Sequence, residues 1–170
     1  MNEEEIRKII EDTGKDAREY EMKYFGCGQT TLAALQKNLK IGNLESLKAA
    51  TVFAGGAAAR GGTCGALIGA LMAFGLVVGR EKIEDTATYR SAIRSAEVQE
   101  FCDKFEKEFG STLCSEIQKR IFGMCFNFRD PRGREQFEKA GGHSENGCPR
   151  VVEFAAKTMA EIILRSRFKK

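Results

Sequence analysis

Apolar residues recur along most of this chain with the period of an α-helix. Ile6, Ile9 and Ile10 lie at helical spacing, and Gly14 ends that segment. Asp16 is placed to cap a second, short helix carrying Ala17, Tyr20 and Tyr24. Leu32, Leu35 and Leu39 mark a third, from about Cys27 to Lys40, which Gly42-Asn43 breaks. Leu44, Leu47 and Val52 sit on a fourth segment, from Leu44 to Ala54. Thr86 to Phe109 reads as one long amphipathic helix, with Val98, Phe101, Cys102, Phe105 and Phe109 on one face and Gly110 closing it. Ser111 can cap a short helix through Phe122. Residues 123 to 147 read as irregular, because Gly123, Asp130-Pro131, Gly133, Gly141-Gly142 and Asn146-Gly147 are turn signals. Pro149 suits the first turn of a last helix, whose stripe is Val151, Val152, Ala155, Met159, Ile162 and Ile163.

One stretch breaks the amphipathic rule. Residues 63–79 carry no charge over 17 positions, between Arg60 and Arg80. That is the lower edge for a membrane-spanning helix. Glycine and alanine dilute its hydrophobicity, however, and the neighbouring amphipathic segments need a core to pack on. A helix that is apolar all round also fits the centre of a bundle. The reading taken is a buried core helix, with a membrane span and an oligomer interface as the alternatives. Gly65 and Gly69, flanked by Ala66, Ala70 and Ala73, would let a second backbone approach closely. The predicted fold is therefore all-α, an irregular helical bundle around a glycine-rich central helix, with residues 1–170 forming a single domain.

Composition removes several function classes. The chain of 170 residues is 42% hydrophobic and 30% charged, with a net charge of +3 from 27 basic and 24 acidic side chains. That balance gives no basis for nucleic-acid or lipid binding. The basic tail from Arg165 to Lys170 reads as a solvated helix end, where cations are favoured. The start, MNEEEIRKII, has neither the basic nor the apolar part of a secretory signal, so the expected location is cytoplasmic. Thiols there stay reduced, so six cysteines call for a purpose other than a disulfide framework.

Four of those cysteines share a local setting. Cys27 lies between Gly26 and Gly28, where the third helix starts. Cys64 follows Gly61-Gly62-Thr63, where the apolar helix starts. Cys114 stands three residues after Ser111, and Cys148 lies between Gly147 and Pro149 as the expected cap of the last helix. A helix N-terminus offers unpaired N–H groups and about half a positive charge. Both favour thiolate over thiol, so the expectation is four cysteines of lowered pKa. Cys102, on an apolar face, reads as a packed and inert thiol. Cys125 leans the same way, with a role as auxiliary ligand as its alternative.

Other patterns are absent. No CxxC occurs, which disfavours a zinc ribbon or a thioredoxin motif, and no CxxCH occurs, which excludes covalently attached haem. His143, the only histidine, reads as a loop residue, with a fifth ligand or proton donor as the alternative. Gly55-Gly56 and Gly61-Gly62 around Arg60 would suit a phosphate cradle, but no Walker lysine or dinucleotide fingerprint is present, and a helix–helix connection is preferred.

The segment "TCGALIGALMAFGL" at 63–76 resembles the CGAxxG signature of the C_GCAxxG_C_C family of redox-active proteins. The family's remaining cysteines correspond to Cys27 in "GCGQTTLAAL", Cys114 in "FGSTLCSEI" and Cys148 in "NGCPRVVEFAAK", and the likeness runs from about Tyr24 to Leu164. Gly28-Gln29 departs from the small or polar residue that usually follows the first cysteine. The family is similar to the non-haem part of split-Soret cytochromes, which are dimeric and carry an iron–sulfur cluster. The resemblance thus implies a cluster or other metal on Cys27, Cys64, Cys114 and Cys148, an unidentified redox partner, and a homodimer as one admissible assembly. Three functions follow: an iron–sulfur electron-transfer protein, a metal-free thiol–disulfide protein, and a zinc-stapled helical scaffold.

Overall fold

A computed structural model describes residues 1–168. Its helices are α1 (Glu3–Tyr24), α2 (Cys27–Leu39), α3 (Leu44–Ala49), α4 (Gly65–Val78), α5 (Thr86–Ile93), α6 (Ala96–Phe109), α7 (Cys114–Phe122), α8 (Pro131–Lys139) and α9 (Cys148–Phe168). The fold is all-α. Among the described residues the sole β-type pairing is an isolated antiparallel bridge between Thr63 and Leu113.

α1 begins in a capping box. Asn2 accepts from the Glu5 backbone at 2.8 Å, and the Glu5 carboxylate accepts from the Asn2 N–H at 2.8 Å. The helix then runs through Gly14, where the sequence predicts a stop. The reason is tertiary. Gly14 is buried, and a Cβ there would overlap the Lys157 side chain of α9, so this glycine serves the close approach of two helices. Asp16 does not cap a second helix either. Its carboxylate accepts from Lys37 at 2.8 Å and from Asn38 at 2.7 Å, which ties α1 to α2.

Three further boundaries differ from the sequence reading. The predicted long helix 86–109 divides at Arg94-Ser95, because the Ser95 hydroxyl caps α6 by accepting from the Val98 N–H at 3.3 Å. Residues 123–147 are not wholly irregular: Asp130-Pro131 forms the cap and first position of α8, with the Asp130 carboxylate accepting from the Arg132 N–H at 3.0 Å. The segment from Leu44 stays helical only to Ala49.

The core is formed chiefly by α2, α4, α6 and α9, with Ala17 of α1. Phe101 and Phe105 are fully buried, and Phe105 meets Phe109 with ring centroids 4.9 Å apart. α9 packs on α1, α2, α4 and α6. α4 buries Ala66, Leu67, Ala70, Ala73 and Phe74, yet Ile68, Leu71 and Met72 are only half-buried and Leu76 is 42% exposed. The apolar run is therefore packed on one side and not enclosed all round. No helix of the described residues is long and apolar enough to cross a membrane. In the basic tail, Arg165 pairs with Glu100 and Arg167 donates to the Leu39 carbonyl at 3.2 Å, while Lys169 and Lys170 lie outside the described residues.

Candidate functional site: a four-cysteine cavity

All four of the helix-start cysteines line one cavity of about 300 Å³. Cys27, Cys114 and Cys148 are the first residues of α2, α7 and α9, and Cys64 is the N-cap of α4. Cys102 and Cys125 do not line it. Cys102 is half-buried on α6 and Cys125 is exposed.

Backbone contacts that no side-chain pattern reveals bring these positions together. α2 and α4 cross on glycine: a Cβ at Gly69 would overlap the Gly28 carbonyl, and one at Gly65 would overlap the Phe53 carbonyl and the Cys27 sulfur. This crossing places the start of α4 against the start of α2. The Thr63–Leu113 bridge joins Cys64 to Cys114, since the Cys64 N–H donates to the Thr112 carbonyl at 2.8 Å and the Cys114 N–H donates to the Gly62 carbonyl at 2.7 Å. That bridge also moves the start of α7 from Ser111 to Cys114, with the Ser111 hydroxyl accepting from the Leu113 N–H at 3.0 Å.

The loop before Cys64 is unusual. Gly55, Gly56, Ala57, Ala58 and Ala59 all have positive φ, between 51° and 74°. Consecutive left-handed alanines are unfavourable by about 1–2 kcal/mol each. Local hydrogen bonds hold the turn, among them Gly61 N–H to the Gly55 carbonyl and Gly62 N–H to the Gly56 carbonyl, both at 2.9 Å. The turn seats Gly56 against Cys114 and aims the Gly55 N–H at the Cys27 sulfur.

The electrostatics reverse the expectation from helix dipoles. Burial pushes the Cys27 and Cys148 thiols well up, and pushes those of Cys64 and Cys114 up to about 12. Repulsion among the four sulfurs adds to the effect. N–H groups do point at sulfur, from Gly28 and Gly55 to Cys27 and from Ala66 and Leu67 to Cys64, and these favour thiolate. They are outweighed. Burial is the largest cause of the rise at Cys64, ahead of the hydrogen bonds that lower it. The cavity is a low-dielectric place, not an electropositive one.

Three polar residues around the sulfurs escape a reading of the sequence. Gln118 is fully buried, donates to the Cys114 sulfur at 3.2 Å and accepts from the Phe126 N–H at 2.8 Å. Its signal was the spacing Cys114–Gln118, one helical turn. Glu21 is buried on the α1 stripe that also holds Thr13 and Ala17, and it accepts from the Thr30 hydroxyl at 2.6 Å. Burial raises its carboxyl to about 7. Glu138 lines the cavity from α8. His143, read as a loop residue, also lines the cavity, and its ring lies 4.2 Å from that of Phe25 and 5.0 Å from that of Phe137 between centroids.

Residues 25–162 match the family model described as "Putative redox-active protein (C_GCAxxG_C_C)". The chain belongs to this family. No curated protein and no solved structure matches the chain. Cys27, Cys64, Cys114 and Cys148, through which the sequence resembles the signature of this C_GCAxxG_C_C family, all line the cavity.

The donor set can be tested against the groups it would hold. Among the described residues no three His, Cys, Asp or Glu side chains are gathered so as to hold a single metal ion. A tetrahedral zinc site needs its sulfurs at about 2.3 Å from one point. The thiols instead line a cavity from four separate helix starts, next to Phe25, Phe122, Phe128 and Phe137. Four thiols are a soft donor set, of the chemical kind that binds thiophilic metals.

Proposed function

We propose that this redox-active protein transfers electrons through an iron–sulfur cluster held by Cys27, Cys64, Cys114 and Cys148. The observation that carries the reading is the convergence of these four thiols, from four helix starts, on one cavity. Such a cluster would supply a one-electron couple. The chain's own residues would do the rest. The four sulfurs lose their protons when the group is loaded, because only thiolate ligates. In an empty cavity, burial and mutual repulsion keep them protonated, so a cationic occupant is what makes four thiolates tolerable there. Gln118 and the N–H groups of Gly28, Gly55, Ala66 and Leu67 direct hydrogen bonds at sulfur, which favours the more negative ligand set and raises the potential. The phenyl rings of Phe122, Phe128 and Phe137 keep water from the centre.

The same burial argues against a metal-free dithiol acting as a nucleophile, since the thiolate fraction would be small. Anaerobic purification followed by iron and sulfide quantitation tests the assignment. Several irons per chain with visible charge-transfer absorption are expected, and Cys64→Ala or Cys148→Ala should abolish both. A colourless, iron-free protein after reconstitution overturns it. One zinc per chain without a redox couple would select a structural staple. A free-thiol count that falls by two on oxidation would select the thiol–disulfide chemistry.

A further inference from the structure

A redox change inside a cavity with hydrocarbon walls leaves a charge that water cannot screen. One wall of this cavity carries a line of titratable groups leading outward. Glu21 is only 2% exposed, and one of its oxygens is taken by Thr30. Its other oxygen, Oε1, stands 3.8 Å from Nε2 of His143. Nδ1 of His143 lies 2.6 Å from Oε1 of Glu138, whose side chain is 54% exposed. Phe25 and Phe137 hold the imidazole in this orientation. The 3.8 Å step is longer than a hydrogen bond and closes with a small side-chain rotation or one bridging water.

We propose that Glu138, His143 and Glu21 form a proton path from solvent to the cysteine cavity, so that an electron gained there is matched by one proton. The proposal rests on the cavity being the place of electron change. On reduction, the centre takes one electron from an external one-electron donor. Glu21 takes the Nε2 proton of the imidazole, and the Glu138 carboxylate relays a proton from solvent to Nδ1. On oxidation each step runs backwards, so the imidazole returns to its starting tautomer without turning over. A carboxylate at this position is well placed to compensate the centre, because its charge acts on Cys27, Cys64 and Cys148. Burial of Glu21 keeps its carboxyl within reach of neutral pH.

The charged and titratable neighbours are few. They are the four cysteines from α2, α4, α7 and α9, and Arg134 from α8. Arg18, one turn from Glu21 on α1, is engaged by Glu153 at 2.8 Å and Glu145 at 3.8 Å.

The test is the midpoint potential of the purified, loaded protein between pH 5.5 and 9. In wild type, a tenfold change in proton activity should move a one-electron couple by about 59 mV. Glu21→Gln should flatten that dependence, and Glu21→Asp, which keeps a carboxyl, should restore most of it. His143→Phe leaves Glu21 in place, so the equilibrium dependence should survive. Its reduction rate by dithionite should fall at least tenfold, and added imidazole should recover it. A merely structural histidine would not respond to imidazole. A pH-independent couple in wild type, an unaltered dependence in Glu21→Gln, an unchanged rate in His143→Phe, or a loss that imidazole fails to rescue each overturns the path. The absence of any redox couple would sink the proposed function as well, whereas a couple indifferent to pH would sink only the path.

Discussion

The core of α2, α4, α6 and α9 and the cavity that α2, α4, α7 and α9 open onto are made from much the same helices but obey different rules. In the core, side chains repeat at helical spacing, and burial of hydrocarbon drives assembly. Around the cavity the chain exposes helix starts, strings together left-handed residues and buries the Glu21 carboxyl with the thiols of Cys64 and Cys114. Periodicity organises the first region. Backbone geometry, which individual side chains scarcely announce, organises the second. The lesson is that stability and chemistry share the same helices, such as α9, which begins with Cys148 at the cavity and continues into the buried Ala155, Ala156 and Met159.

That contrast can be broken most sharply in the core. Phe105→Ala removes a fully buried ring and should destabilise the protein by about 3–5 kcal/mol in chemical denaturation. Because Phe105 does not line the cavity, the folded fraction of this variant should match wild type in the iron loading proposed above.

The cavity region should reveal itself through pH. Burial raises the folded-state carboxyl of Glu21 to about 7 from its ordinary 4.5. A raised carboxyl contributes stability that is fully present below about pH 4.5 and is lost as pH rises through about 7, because the folded state then has to hold a buried charge. The loss is roughly 3 kcal/mol for the metal-free chain. Urea denaturation of wild type and Glu21→Gln at pH 5 and pH 8.5 should show the variant relatively more stable at the higher pH. An identical pH response in both would refute the burial argument.

Gly69→Ala probes the crossing that links the two regions. The new methyl would run into the Gly28 backbone, so α2 and α4 must part, at about 1–3 kcal/mol. The same separation should loosen the cavity, so under the proposed function iron retention should fall together with the unfolding midpoint.

Ala58→Gly is the smallest effect and has the most telling sign. In an ordinary helix this change is destabilising by about 1 kcal/mol. At φ 51°, on an exposed residue, it should stabilise by ~1 kcal/mol, a gain of a few degrees in thermal unfolding. A loss of stability would mean that the turn carries no strain.

Much of this was legible beforehand. The all-α class followed from spacing, and the position of four cysteines at helix starts followed from the glycines and proline beside Cys27, Cys64 and Cys148 and from Ser111 before Cys114. Some local signals have two structural meanings that the sequence does not separate. Asp130-Pro131 was a helix start and not a turn, and Ser95 was a cap inside an otherwise continuous amphipathic pattern. Gly14 could not be judged from the sequence, because whether a glycine stops a helix or admits a neighbour depends on Lys157, far along the chain. The left-handed alanines were also hidden, since alanine by itself favours the right-handed helix.

The sequence by itself determined the all-α class, most of the helical segments and which thiols sit at helix starts, because hydrophobic spacing and capping act over one or two turns. Only the tertiary structure decided that Cys27, Cys64, Cys114 and Cys148 share a cavity, that Glu21 and His143 join them, and that burial pushes the thiols up. Those outcomes depend on how closely backbones from distant segments approach and on how much water they exclude. Desolvation is a property of the assembled surroundings, so it can override a helix dipole that each segment carries on its own.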